Sequence, residues 1–395
     1  MRRTLRITAC ILLLSIATCH AQPGPGKLRV IFIGEVAASN QLFLDWTGAE
    51  PKFILTTVPC DLEWVSLKEA RRFARIYLPR TEEKLREEQD VMVFEDFSPD
   101  VLPLEFYGWG QGAIEEGMGL GLIEFAYWGG SNEIPRWMDM EFYEVFPAET
   151  VLNIIPAVAG RTFYRVENEG GPLDLPGIES VPMNQGYHGD LVPRGGSVVE
   201  ATWRVRGTPA MVTSTYGEGH TLQLDHGWDN IPGEIRLSYE YLPDYIFNQI
   251  FSIGGLPLPE DLNLVHVTRA SLISYSDRKR ATLAVIEFVE RFGADPTAAA
   301  ELLDSMDREY DRASRLYLDG EYQEAGDMLF ELLDQFTDLE MDLLEAKDRA
   351  FFWIYLAEWL GVLGAGIICG VALWTLMIRR RMYREVSTTR AAAQK

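Results

Sequence analysis

Asp90-Val91-Met92-Val93-Phe94-Glu95-Asp96 sets four apolar residues between acidic ones. A run this short, bounded by polar residues, reads as a strand buried on both faces, and such strands belong to parallel sheets covered by helices. The pattern repeats on either side. Upstream, Leu28-Arg29-Val30-Ile31-Phe32-Ile33-Gly34 and Phe53-Ile54-Leu55-Thr56-Thr57-Val58, stopped by Pro59, predict two more strands, with a helix between them that Ser39 can cap. Thr81 opens a helical turn just before the quoted run. Downstream, residues 106–116 fit a short helix despite their glycines, and residues 120–125 a fourth strand. Strand and helix alternate, so the expected class is α/β, with a flavodoxin-like, mainly parallel sheet and helices on both faces.

Residues 150–200 are rich in Gly and Pro and weakly periodic, which predicts a loop-and-strand insertion. Residues 210–216 and 220–224 then read as two strands around the hairpin turn Gly217-Glu218-Gly219, and residues 241–253 as an apolar helix. From Pro296 the pattern is helical. Asp319-Gly320 breaks it, Glu321-Tyr322-Gln323-Glu324-Ala325 restarts it, and Thr337 can cap a third helix running toward the C-terminus.

The ends decide topology. Arg2, Arg3 and Arg6 precede an apolar stretch, and Cys19-His20-Ala21 offers small residues for cleavage, so residues 1–21 predict a secretory signal. An uncleaved anchor, or a lipoprotein signal lipidated at Cys19, are the alternatives. Residues 359–378 carry no charge and are long enough to cross a hydrocarbon core of roughly 30 Å. Trp353, Tyr355, Trp359 and Trp374 sit near the borders as interfacial anchors, and Arg379-Arg380-Arg381 follow at once. Basic residues stay inside, so this is a single-pass type I protein of the cell membrane, with its body extracytoplasmic and its tail cytoplasmic. Gly366 and Gly370 make a GxxxG step through which two such helices can approach as a homodimer. The net charge is −23 although both ends are basic, so the body is more acidic still; it repels phosphate backbones and excludes a nucleic-acid-binding main domain. Cys60 is the thiol left outside signal and span, and one thiol closes no intramolecular bridge.

Several motifs in order resemble the class I glutamine amidotransferase-like domain, in the non-catalytic branch near the ThuA-like proteins. They are Leu78-Pro79-Arg80-Thr81 through Asp96, Glu116-Gly117-Met118-Gly119-Leu120, Trp128-Gly129-Gly130-Ser131-Asn132, and Pro209-Ala210-Met211 through Leu224-Asp225-His226-Gly227-Trp228. The resemblance covers residues 28–255. Residues 348–386 are similar to the tail of single-pass prokaryotic, largely archaeal, proteins, which implies a prokaryotic envelope. The organisation expected is a signal (1–21), an amidotransferase-like domain (28–255), a helical stalk with a tetratricopeptide-like hairpin (256–350), a transmembrane helix (351–378) and a basic cytoplasmic tail (379–395).

A working amidotransferase needs a Cys on a strained strand-to-helix turn. The matching stretch, Ile123-Glu124-Phe125-Ala126-Tyr127, has none, and Ser131 comes too late for that turn. Phe125, Tyr127, Trp128, Gly129, Gly130 and Ser131 instead offer aromatic faces and backbone N–H groups at a strand's carboxyl end, where open α/β sheets bind ligands. A sugar or a peptide loop suits them; aromatic packing is the plainer alternative. His220, Asp225 and His226 cluster in sequence as alternative metal ligands, but strand alternation sends His220 and Asp225 to opposite faces. His188 lies in the Gly/Pro-rich stretch, which favours a loop role. No dinucleotide or Walker A pattern occurs, so no cofactor is expected. The expectation is a membrane-anchored binding or adaptor protein for an envelope protein or a carbohydrate. The alternative is an envelope-sugar hydrolase or metal-dependent enzyme using His188, His220, Asp225 or His226.

Overall fold

The computed structural model describes residues 27–36, 41–62, 64–95, 98–124, 133–155, 161–184, 188–291 and 297–392. The N-terminal half alternates strand and helix: β1 (Leu28–Gly34), α1 (Gln41–Ala49), β2 (Phe53–Pro59), α2 (Leu67–Tyr77), α3 (Glu82–Glu88), β3 (Val91–Glu95), α4 (Leu104–Glu115), β4 (Gly119–Ile123) and α5 (Glu133–Met138). A strand-rich stretch follows: β5 (Ala148–Ile155), β6 (Thr162–Val166), β7 (Pro182–Asn184), β8 (His188–Pro193), β9 (Val198–Trp203), β10 (Pro209–Tyr216) and β11 (Gly219–Leu224). Helices complete the chain: α6 (Gly233–Ser238), α7 (Leu242–Ile253), α8 (Leu262–Arg291), α9 (Thr297–Asp319) and α10 (Tyr322–Ala392).

The main sheet has the order β2-β1-β3-β4-β11-β10-β9-β6-β7. From β2 to β11 the neighbours run parallel, and from β11 to β7 antiparallel, so the sheet is mixed. The parallel half follows the doubly wound rule, reversing direction between β1 and β3. Alternation along these strands fills both faces. Val30, Phe32, Val91 and Val93 join Phe43 of α1 and Ile246, Phe247 and Ile250 of α7 in one core. Ile31, Ile33, Met92 and Phe94 join Ala70 and Ala74 of α2, Leu85 of α3 and Phe106 of α4 in the other. Both sides of each central strand are therefore apolar, which is why the sequence shows unbroken runs there. β1 and β3 approach so closely that a Cβ on Gly34 would lie 1.8 Å from the Glu95 carbonyl oxygen, and only glycine fits.

The stretch expected to be an insertion is mostly sheet. β6, β7 and β9 extend the main sheet, and β5 and β8 form a separate two-stranded sheet. Gly and Pro between short strands hide the pairing, because partners such as Tyr164 and Trp203 lie far apart in sequence.

The described residues form two compact units, those of 27–273 with 312–327, and those of 274–311 with 328–392. The start of α8 and the turn between α9 and α10 group with the sheet. Arg269, 3% exposed, explains the grouping. It donates to Asp244 at 2.6 Å and to the Tyr317 hydroxyl at 2.8 Å, and Tyr317 donates to Glu50 at 3.1 Å. His266 adds a 2.6 Å contact to the other Asp244 oxygen. Buried charges need such partners. In the second unit Tyr275 stacks on Tyr310 at 4.2 Å and donates to Asp307.

Gly320, at φ +88°, ends α9 where the sequence places a break. Thr337 caps nothing, however: its hydroxyl bonds back to the Leu333 carbonyl inside the continuous α10. That helix contains one run long and apolar enough to cross a membrane, with Leu363, Ile367, Ile368, Val371 and Trp374 exposed.

Candidate functional site

The parallel strands deliver their carboxyl ends to one edge, where ligands of open α/β sheets bind. Glu35 follows β1, Glu95 ends β3, Glu124 follows β4, and Asp225 and His226 follow β11. Glu95 pairs in register with Gly34 on one side and Ile123 on the other. At about 4.8 Å per strand spacing, three glutamates therefore stand across three adjacent strand ends. Glu35 and Glu95 are buried, at 8% and 1% exposure.

Glu124 has φ +62°, and it is the one described non-glycine residue with a positive φ. A left-handed conformation is unfavourable for such a side chain and marks a backbone held by its surroundings. It stands directly after β4, at the carboxyl end of that strand. The Asn230 amide donates to Glu124 Oε1 at 3.1 Å, which joins this turn to the segment after β11.

Behind the edge lies a polar network packed among aromatic rings. The Trp203 indole N–H donates to Asp225 Oδ2 at 2.6 Å. Burial pushes the Asp225 carboxyl well above the usual carboxylate range, against the lowering effect of the Trp203 bond. His226 Nδ1 lies 2.8 Å from the Gly227 carbonyl, which can only accept, so Nδ1 carries the proton. Nε2 then accepts from the Tyr164 hydroxyl, and Tyr245 donates to Tyr164 at 3.1 Å. Both nitrogens of His226 are thus engaged within the protein.

Cys60, beyond the end of β2, is fully buried, and burial pushes its thiol up to about 12. It stays protonated and is no nucleophile.

No family model matches the sequence, and no curated protein matches it. Among solved structures, the cytoplasmic proteins STM3548 and STM1381 of Salmonella typhimurium are similar at 17% and 16% identity, each over 57% of this chain and 99% of its own, with a TM-score of 0.46. The exo-beta-1,4-mannosidase Op5Man5 of an Opitutaceae bacterium aligns with 57% of this chain and 36% of its own at 10% identity and a TM-score of 0.31.

Of the residues singled out in the sequence, Asp225 and His226 reach the carboxyl edge together. His220 does not join them: it is exposed and opposite Thr215 in the β10–β11 ladder, about 17 Å along the strand from Asp225. The backbone of His188 pairs with Ile155 in the β5–β8 ladder, in a strand and not in a loop. Among the described residues, no three His, Cys, Asp or Glu side chains are placed to hold a metal ion. Phe125, Tyr127, Trp128, Gly129, Gly130 and Ser131 lie outside the described residues, as do Ser39 and residues 1–21. Gly366 and Gly370 sit one turn apart on α10, with open space around each. Glu35 and Glu95 do not stand out in the sequence as site residues. Their signal was an acidic residue closing an apolar run, which becomes a site only when the strand order sets the runs side by side.

Proposed function

We propose that this is a membrane-anchored, extracytoplasmic binding protein whose amidotransferase-like, flavodoxin-like domain recognises a partner at the carboxyl edge of its sheet without thiol chemistry. The observation that carries this reading is Glu124. A carboxylate occupies the left-handed turn after β4, where an amidotransferase of this class would hold its cysteine. Glu124, half-buried at this edge, can present carboxylate oxygen to sugar hydroxyls or to a basic loop of an envelope protein, with the buried Glu35 and Glu95 on the neighbouring strand ends. The apolar run of α10 supplies the anchor, and Arg379, Arg380 and Arg381 beyond it favour a cytoplasmic tail. Gly366 and Gly370 offer a face for pairing two such anchors.

A second reading has one observation in its favour. Carboxylates on adjacent strand ends, Glu95 and Glu124, are the residue types a glycoside hydrolase needs as its acid and its nucleophile or base. One experiment separates the two. The detergent-solubilised chain and its Glu124→Gln variant are incubated with envelope glycans and membrane extract, with bound partner and released reducing ends both measured. The binding reading expects stoichiometric retention of a glycan or protein, at least about tenfold weaker in the variant, and no released ends. Turnover lost in the variant would establish the hydrolase; neither binding nor turnover would reject both.

A further inference from the structure

A cavity of about 600 Å³ lies between α2 and the segment that leads from the turn Pro99–Val101, which follows β3, into α4. That volume is typical of small-molecule sites. Its apolar lining includes Ala74, Leu78, Val101, Leu102 and Phe106, all buried, and the half-buried Trp109. Its rim carries Arg71, Arg75 and Arg80, in a protein whose net charge is −23.

The rim charges are not equivalent. Arg71 donates through Nε and a terminal nitrogen to the Asp100 carbonyl, at 3.1 and 2.9 Å. The Asp100 carboxylate, the one acidic group in the lining, is paired with Arg136 of α5. Arg75 and Arg80 are exposed, and among the described residues neither makes a hydrogen bond or an ion pair. Two unneutralised guanidiniums over an apolar floor match a dianion with an apolar body, and guanidinium forks suit phosphate oxygens in particular.

We infer that this cavity binds an organic phosphate monoester, with its phosphate on Arg75 and Arg80 and an aromatic or short aliphatic body against Leu102, Phe106 and Trp109. Arg71, tied to the Asp100 carbonyl, holds the rim in place and adds a third positive charge. The site is independent of Glu124 and of the reading built on it.

Phenyl phosphate is the probe, titrated by calorimetry into the full-length chain in nanodiscs, with inorganic phosphate and phenol as controls. The expected result is saturable one-to-one binding of phenyl phosphate, at least about tenfold tighter than either control. Arg75→Gln and Arg80→Gln should each weaken it about tenfold while thermal unfolding is unchanged, because both side chains are exposed and partner-free. Absent binding, affinity equal to that of inorganic phosphate, or indifference to both substitutions would overturn the inference. So would capture of an acidic peptide such as hexaglutamate without phenyl phosphate binding, since the rim would then serve a protein partner.

Discussion

Asp225 takes the indole hydrogen bond of Trp203 while buried to 1% exposure, and that pairing has a pH consequence. Its carboxyl holds a proton to higher pH in the folded protein than in the unfolded chain. The folded state then binds more protons wherever the unfolded carboxyl has ionised, above about pH 4, and stability must fall as pH rises through that window. Asp225→Asn keeps an oxygen for Trp203 and cannot ionise. Between pH 5 and pH 8 the unfolding free energy from urea titrations should therefore fall for the wild type relative to the variant, by up to about 1.4 kcal/mol for each pH unit crossed in the window; parallel curves would refute the assignment. Asp225 and His226 were visible in the sequence because they are neighbours there. Glu35, Glu95 and Glu124 were not visible as a group, because only the order β1-β3-β4 sets their strands together.

Among elements, α2 shows what local rules can reach. Ser66 accepts from the Glu69 N–H while the Glu69 carboxylate accepts from the Ser66 N–H, a reciprocal cap. Ser66→Ala should cost about 1 kcal/mol, read as a lower urea midpoint at unchanged slope, and Ser66→Asp should restore most of it. The Ser-x-x-Glu pattern is a local signal of this helix start, independent of any strand around it. Buried strands announce themselves through unbroken apolar runs, so β1 to β4 and the β10–β11 hairpin were legible within a few residues. α8 was not: its first half serves the buried Arg269 cluster, which places polar residues on an inward face and blurs the helical period. The antiparallel extension through β9 and β6 was hidden for another reason. Pairing across 39 positions, as between Tyr164 and Trp203, leaves no local signature.

At the scale of the molecule, composition spoke most clearly. An acidic body between basic ends, with one uncharged twenty-residue run before three arginines, suggested a membrane protein before any fold was in view. Ile367→Arg with Ile368→Arg places two charges mid-run, at about 2.5–3.5 kcal/mol each on insertion scales. The variant should move from the carbonate-resistant membrane pellet to the soluble fraction; continued membrane retention would remove the anchor. The division into units was less legible, because a few buried ionic contacts, and not chain order, tie residues 312–327 to the sheet. The buried thiol of Cys60 turns this architecture into something measurable. With Cys369, the other described cysteine, changed to Ser, a water-soluble disulfide reagent can reach Cys60 only when the covering layer opens. The rate of labelling then acts as a molecular clock for opening at the end of β2, and its slowing by an added ligand would report how strongly that ligand holds the layer closed.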